Sequence, residues 1–85
     1  MRKSIHSKRL KQFLDLLIQY RKEKQITQAA LADLLGKPQS FVSKYESGER
    51  RLDFLELVAI CEALEISLAT FVARFKSGPS IQKSI

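Results

Sequence analysis

Few residues of this 85-residue chain are of types that perform covalent or metal chemistry. The chain has one histidine, His6, and one cysteine, Cys61, so it contains neither a metal-ligand set nor the two partners of an internal disulfide. Cys61 lies in an apolar stretch, which favours a buried small side chain over a reactive thiol. Since no Ser/His/Asp set and no glycine-rich phosphate loop occurs, we expect no enzyme, no bound metal and no cofactor.

Polar side chains suited to recognition, rather than to catalysis, gather between residues 39 and 44. They are Gln39, Ser40, Ser43 and Lys44. A glutamine amide can bond N6 and N7 of adenine together, a serine hydroxyl both donates and accepts, and a lysine suits guanine or a phosphate. This set therefore has the chemistry needed to contact a nucleic acid.

The net charge of +6 is unevenly distributed along the chain. Residues 1–24 contain eight lysines and arginines against two carboxylates, whereas residues 53–75 contain one arginine against four carboxylates. One end of the chain is therefore suited to a polyanion, and this asymmetry favours nucleic acid as the partner.

Length and composition predict one globular domain. Eighty-five residues are too few for two cores, and a hydrophobic fraction of 45% is ordinary for a folded protein. No apolar run approaches the roughly 18–20 residues of a membrane span, and the basic start lacks the apolar segment of a signal peptide. We therefore expect no membrane contact and a cytoplasmic location.

The spacing of apolar residues is helical throughout, and it predicts an all-α fold of five helices. The first helix should cover residues 7–24, with residues 1–7 as a mobile basic arm. Its apolar stripe is formed by Leu10, Phe13, Leu14, Leu17 and Ile18, which recur at helical spacing.

Capping residues predict the second and third helices. Thr27 is a good N-cap for a helix that begins at Gln28, and Gly36 ends it. The third helix should begin at Pro38 or Gln39, run to Ser47 and end at Gly48. Two short helices with a glycine-containing turn between them form a helix-turn-helix pattern.

The last two helices are predicted by caps and apolar faces. Asp53 and Glu56 form a capping box for a helix that ends near Glu65, and Ser67 caps the next. The inward residues should be Phe54, Leu57, Val58, Cys61 and Leu64 on the fourth helix, and Leu68, Phe71, Val72 and Phe75 on the fifth. A domain over residues 1–76 is then followed by a flexible tail, residues 77–85.

The segment LGKPQSFVSKYESGERRLD, residues 35–53, resembles the lambda-repressor-like (Cro and Xre) helix-turn-helix family. The resemblance extends over residues 9–75 and rests on an ordered set of elements: Gln28, the Ala-Leu-Ala of residues 30–32, Gly36 in the turn, and Tyr45-Glu46-Ser47-Gly48. It implies a compact five-helix bundle of the lambda-repressor-like type that binds double-stranded DNA and regulates transcription. Ala30, Pro38, Ala69 and Thr70 depart from the family pattern, which bears on stability by about 0.5–2 kcal/mol per lost cap.

Carried over by position, the resemblance assigns roles to individual residues. Base reading falls to Gln39, Ser40, Ser43 and Lys44 at the N-terminal half of the third helix, which in this family lies in the major groove. Contacts to the DNA backbone fall to Gln28, Lys37, Phe41, Arg50 and Arg51. For Phe41 an equal alternative is packing on the second helix. Arg21 and Glu46 take the positions of a partly buried ion pair, and Val42 and Tyr45 should be core.

The function that follows is a homodimeric repressor or activator that reads a short near-palindromic operator. The dimer is expected to form mainly through the fifth helix and the tail, with Phe71, Val72, Phe75, Ile81 and Ile85; the alternative is that all of these residues close the core of the monomer. The alternative from another class is an antitoxin-like or bridging module whose main role is to bind another protein. A restriction–modification controller is a third possibility within the DNA-binding class.

Overall fold

The computed structural model describes the backbone of residues 2–78 and the side chains of residues 8–78, and the regular structure in that part of the chain is entirely helical. The helices are α1 (Arg2–Glu23), α2 (Gln28–Leu35), α3 (Gln39–Ser47), α4 (Phe54–Ala63) and α5 (Leu68–Ser77). The predicted all-α class with five helices is confirmed. Of the predicted tail, residues 77–85, Ser77 is the last residue of α5 and Gly78 follows it, whereas residues 79–85 lie outside the described residues. Within the described part, no helix is both long and apolar enough to cross a membrane.

The first helix is longer than the sequence pattern predicts. It begins at Arg2 instead of near Ser7, so the prediction of its start was wrong by five residues. Neither proline nor glycine occurs between Arg2 and Ser7, and nothing in the local sequence therefore stops the helical backbone. The segment proposed as a basic arm is helical, and its mobility stays a prediction.

The turn between α2 and α3 is built as its residues predict. The Thr27 hydroxyl accepts a hydrogen bond from the Ala30 backbone N–H at 3.0 Å and so caps α2. Gly36 ends α2 with φ at +67°, in the left-handed region that favours glycine. Pro38 precedes α3 without a side-chain cap, and Gly48 ends it. The helix-turn-helix pattern is therefore present in the chain.

The capping box at the start of α4 is also present. The Glu56 backbone N–H donates to Asp53 Oδ1 at 2.7 Å, and the Asp53 backbone N–H donates to Glu56 Oε1 at 2.9 Å. α4 ends at Ala63, two residues before its predicted end, because Glu65 takes a left-handed backbone with φ at +58°.

One core joins the five helices. Val42 and Tyr45 of α3 are fully buried, as predicted, and Cys61 is buried as well. The side chains buried with them are Leu14, Leu17, Tyr20, Leu31, Ala32, Phe41, Ile60, Leu64 and Phe71. α3 packs on α2 and α1, so its orientation depends on both helices.

Two residues predicted to face inward are exposed, and the buried residues that were not assigned to the core include Tyr20 and Ile60. Phe54 is 64% exposed and Val72 is 42% exposed. Phe71 takes the inward position of α5 that Val72 was expected to share, and its ring meets Phe13 edge-on at 5.9 Å. Ile60, which was not assigned to the core, is fully buried.

Candidate nucleic-acid interface

α3 presents a polar face opposite its buried face. Phe41, Val42 and Tyr45 are buried against the other helices. Gln39, Ser40 and Lys44 are exposed on the outside and Ser43 is half-buried beside them. Ser40, Ser43, Lys44 and Ser47 recur at helical spacing, so they form one continuous outer stripe. Gln39 stands at the first position of the helix, next to Pro38.

The stripe is mostly unused by contacts within the protein. Ser43 Oγ lies 3.3 Å from the Ser40 carbonyl and Ser47 Oγ lies 3.0 Å from the Lys44 carbonyl, both within the helix. The side chains of Gln39 and Lys44 make no hydrogen bond to any described residue. Their donors and acceptors are therefore available to a ligand along the outside of α3.

Phe41 belongs to the core, so its assignment to the DNA backbone is corrected. Its side chain is 8% exposed, and its ring meets the Tyr45 ring edge-on at 5.7 Å. Packing, the alternative prediction, is the role that the structure supports. The ring also attracts two cations: Lys37 Nζ lies 5.3 Å and the Arg50 guanidinium carbon 4.7 Å from its centroid.

Arg21 and Glu46 form an ion pair between the end of α1 and the end of α3. Arg21 Nε donates to Glu46 Oε2 at 2.7 Å, and Nη2 donates to Oε1 at 3.1 Å. Arg21 Nη1 donates to the Ile26 carbonyl at 2.8 Å. The two side chains are 10% and 5% exposed, so the pair is screened from solvent and fixes α3 against α1.

Gln28 joins this ion pair. Its Nε2 donates to Glu46 Oε1 at 2.9 Å, so one N–H of the amide is used inside the protein. A glutamine amide has two N–H groups, and one remains for the phosphate contact that the sequence predicts. The pairing with Glu46 was not predicted, because the two residues are 18 positions apart in the chain.

Arg50 also has a partner within the protein. Its Nη1 and Nη2 donate to Glu56 Oε1 and Oε2 at 3.0 and 2.9 Å, and Nη1 donates to the Arg51 carbonyl at 2.7 Å. The bonds from Arg50 lower the pKa of the Glu56 carboxyl below its ordinary value of 4.5. The sequence predicted Glu56 only as part of the capping box, and predicted Arg50 as a phosphate contact.

Lys37 and Arg51 remain as exposed cations beside α3. Lys37 lies in the turn before the helix, and Arg51 lies in the loop after it. Neither side chain makes an ion pair with a described carboxylate. No described carboxylate therefore offsets their charges next to the polar stripe.

Comparison with known families identifies the chain. The helix-turn-helix family model matches residues 17–71, from within α1 to within α5. This chain belongs to the Cro/Xre-type helix-turn-helix family. The resemblance inferred from residues 35–53 is confirmed, and the chain is a DNA-binding transcription regulator and not an enzyme.

Solved structures agree with this assignment. An XRE-family-like protein from Pseudomonas syringae pv. tomato is 41% identical, with a TM-score of 0.83 over 88% of this chain and 92% of that one. The wild-type restriction–modification controller protein C.Esp1396I is 26% identical, with a TM-score of 0.76 over 81% of this chain and 90% of that one. The clp gene regulator ClgR from C. glutamicum, 21% identical with a TM-score of 0.73 over 85% of this chain and 92% of that one, shares the fold. Among curated proteins, none matches the chain.

Proposed function

We propose that this regulator acts in the cytoplasm as a homodimer and reads a short near-palindromic operator, with α3 of each copy in the major groove. The observation that carries the proposal is the polar stripe of α3, which stands over a fully buried opposite face. Because the buried face fixes α3 against the other helices, the backbone positions of its outer side chains are fixed relative to one another. A module that only binds protein has no reason to present glutamine, serines and lysine together beside exposed cations.

Within this proposal, Gln39 and Lys44 read base edges, and Ser40 and Ser43 add adaptable hydrogen bonds. Gln39 stands at the N-terminal end of α3, the part that reaches base edges in this docking geometry. Its amide matches the N6 and N7 groups of adenine, and the Lys44 ammonium matches guanine.

The DNA backbone is assigned to the cations outside the stripe. Lys37 and Arg51 flank α3 at its two ends and are exposed. Gln28, at the N-terminus of α2, contributes its second amide N–H together with the unpaired backbone N–H groups of that helix end. Arg50 is left out of this set because its guanidinium is paired with the Glu56 carboxylate.

Selection of bound sequences from random DNA, followed by titration of the selected duplex and a scrambled duplex, tests the proposal. Gln39→Ala should weaken operator binding by about 1–3 kcal/mol and leave binding to the scrambled duplex nearly intact. Gln19→Ala, on an exposed site of α1, is the matched control and should change neither titration. Equal losses on both duplexes for Gln39→Ala would mean that α3 does not read sequence through this residue.

A homodimer is part of the proposal because one short reading helix contacts few base pairs, and two copies can span half-sites about 34 Å apart. The structure changes which residues can form it. Phe71 is buried in the monomer, and Phe75 is half-buried, with Phe13 at 6.3 Å and the Arg9 guanidinium at 4.5 Å. Of the apolar residues predicted on α5, Val72 is left exposed, and Ile81 and Ile85 lie outside the described residues.

Light scattering at tens of micromolar tests the dimer and its surface. Val72→Glu should shift the wild-type dimer toward monomer, because a charge in an apolar interface is left unpaired. Leu34→Glu, at a site on α2 that is 61% exposed, is the control for adding a charge to an exposed apolar position. A wild type that stays monomeric without DNA would count against the homodimer.

One observation supports a protein partner as a second function. Phe54 and Leu55, at the start of α4, are 64% and 75% exposed, and two large adjacent apolar side chains in solvent are typical of a contact surface. An antitoxin-like or bridging role would use this surface instead of the α3 stripe. Failure of the wild type to bind any duplex at low salt would favour that role over the operator-reading one.

A further inference from the structure

Arg50 and Glu56 connect the loop after α3 to the first turn of α4. Each nitrogen at the end of the guanidinium faces one oxygen of the carboxylate, at 3.0 and 2.9 Å, which is the planar two-bond arrangement that only arginine makes. Glu56 is itself fixed, because its Oε1 accepts the Asp53 backbone N–H at 2.9 Å. The Arg50 side chain is therefore held in one direction by a residue that belongs to the start of α4.

The same guanidinium reaches α3. Its central carbon lies 4.7 Å from the centroid of the Phe41 ring, and the Arg50 backbone N–H donates to the Lys44 carbonyl at 3.1 Å. Phe41 is buried and follows Ser40 directly on the helix. A shift of the Arg50 side chain would thus be transmitted to the N-terminal half of α3, where the polar stripe begins.

We propose that Arg50, oriented by Glu56, is a positioning residue that sets how α3 presents its polar stripe, and so determines sequence discrimination without holding a phosphate. The inference rests on the proposed function, since discrimination exists only if the chain reads an operator. The Arg50 guanidinium uses three of its five N–H groups on Glu56 and the Arg51 carbonyl, and the adjacent Glu56 carboxylate offsets its charge, which weakens its attraction for a phosphate. Lys37 and Arg51 make no ion pair with a described carboxylate, so their attraction for phosphates is not weakened in this way.

The positioning role and the phosphate role predict different results for Arg50→Met. A phosphate contact that is lost weakens binding to operator and scrambled duplex alike, and it flattens the dependence of log K on log salt by about 0.9. A positioning residue that is lost leaves the salt slope unchanged and lowers the ratio of operator to scrambled affinity. We expect a fall of about 5- to 150-fold, the discrimination that one or two strained base contacts provide.

Two further variants separate charge from geometry. Arg50→Lys keeps the charge and loses the two-bond geometry, so we expect discrimination to fall as in Arg50→Met, whereas a phosphate contact would survive this change. Glu56→Gln removes the charge but retains a side chain that can complete the capping box, because glutamine also serves at this position. It should lower discrimination as well, and the double variant Arg50→Met/Glu56→Gln should be no worse than either single one, because both act through one contact.

Arg51→Met is the matched control, since it removes the same charge one residue away. It should flatten the salt slope by about 0.9 and weaken both duplexes equally. Amide hydrogen exchange without DNA gives an independent reading: exchange in α3 should be faster in Arg50→Met and Glu56→Gln than in the wild type or in Arg51→Met. Exposed ion pairs contribute little to global stability, so all the variants should fold.

The outcomes distinguish this inference from the proposed function. A wild type that binds operator and scrambled duplex equally overturns the proposed function, and with it a role for Arg50 in discrimination. Suppose instead that the wild type prefers the operator, and that Arg50→Met keeps this preference but has a flatter slope of log K against log salt. That result overturns the positioning role alone. Unchanged discrimination in Arg50→Lys would overturn the positioning role as well.

Discussion

Replacing Glu46 with alanine tests how much of the fold depends on the ion pair between α1 and α3. The Glu46 carboxylate accepts bonds from Arg21 Nε, Arg21 Nη2 and Gln28 Nε2, at 2.7, 3.1 and 2.9 Å. The Arg21 side chain is only 10% exposed. Removal of the carboxylate therefore leaves three donors without their acceptor, and two of them belong to a cation that solvent barely reaches.

The magnitude follows from burial. An exposed ion pair contributes about 0–1 kcal/mol, but loss of one member of a buried pair costs about 3–5 kcal/mol. Arg21 keeps its bond to the Ile26 carbonyl at 2.8 Å, so we expect the lower part of that range, about 3–4 kcal/mol. In a domain of this size each kcal/mol lowers the melting temperature by about 4–8 °C, which gives a fall of about 12–32 °C.

Urea and thermal unfolding followed by circular dichroism measure this change. Glu49→Ala is the matched control, because Glu49 is exposed just beyond α3 and its loss should change stability by about 0.5 kcal/mol or less. Adding Arg21→Met to Glu46→Ala should restore part of the lost stability, since the buried charge disappears with it. If Glu46→Ala unfolds within about 1 kcal/mol of Glu49→Ala, Arg21 reaches solvent once its partner is gone, and the reasoning from burial is refuted.

Three other predictions concern single groups. The Tyr45 hydroxyl is buried and has no hydrogen-bond partner among the described residues, and burial raises its pKa above the ordinary 10.0. Tyr45→Phe should therefore leave the free energy of unfolding unchanged or raise it by up to about 1 kcal/mol, and a clear loss in urea titrations would mean that the hydroxyl is bonded. Burial also raises the pKa of the Cys61 thiol, so a maleimide should react ~100-fold more slowly with native than with urea-unfolded protein; similar rates would contradict this. Because the pKa of Glu56 is lowered from 4.5, its contribution to stability is present above that pH and is lost as the pH falls through the lowered pKa. Glu56→Gln should thus lower the melting temperature at about pH 7, by an amount that decreases as the pH falls below 4.5, and an effect that does not change with pH would argue against the ion pair.

The helix boundaries around the turn could be predicted because their signals act over three or four residues. Thr27, Gly36 and Asp53 each satisfy backbone groups of the adjacent turn, and the structure uses all three as predicted. The start of α1 was less clear, because Ser4 and Ser7 are both of a type that caps helices, yet α1 runs through them. With no glycine or proline in this stretch, the boundary depends on the balance of helix propensities, which spacing alone does not resolve.

Burial was harder to predict than helicity, because a face is buried only where another helix covers it. Phe54 continues the apolar spacing of α4 toward its N-terminus, yet it is 64% exposed. Ile60 lies in the middle of the same helix and is fully buried. The periodicity gives the direction of each side chain, whereas the position of α2 against α4 decides how many turns of that face are covered.

For the polar site as well, the positions of residues could be predicted from local spacing, but their pairing with distant residues could not. Positions 39, 40, 43 and 44 could be placed on the outside of α3 from helical spacing, and they are exposed or half-buried there. The roles of Gln28 and Arg50 depended on partners 18 and 6 residues away, and no spacing rule connects those pairs.

A cationic or amide side chain can bind DNA only through those donors and charges that are not already paired within the protein. Glu46 accepts one N–H of Gln28, and the Glu56 carboxylate offsets the charge of Arg50, so Gln28 and Arg50 are less available to DNA than composition alone suggests. Lys37 and Arg51 have no such carboxylate among the described residues. Each phosphate contact that releases a counterion from DNA contributes about 0.9 to the slope of log K against log salt. The measured slope should therefore correspond to fewer phosphate contacts than there are cations near α3.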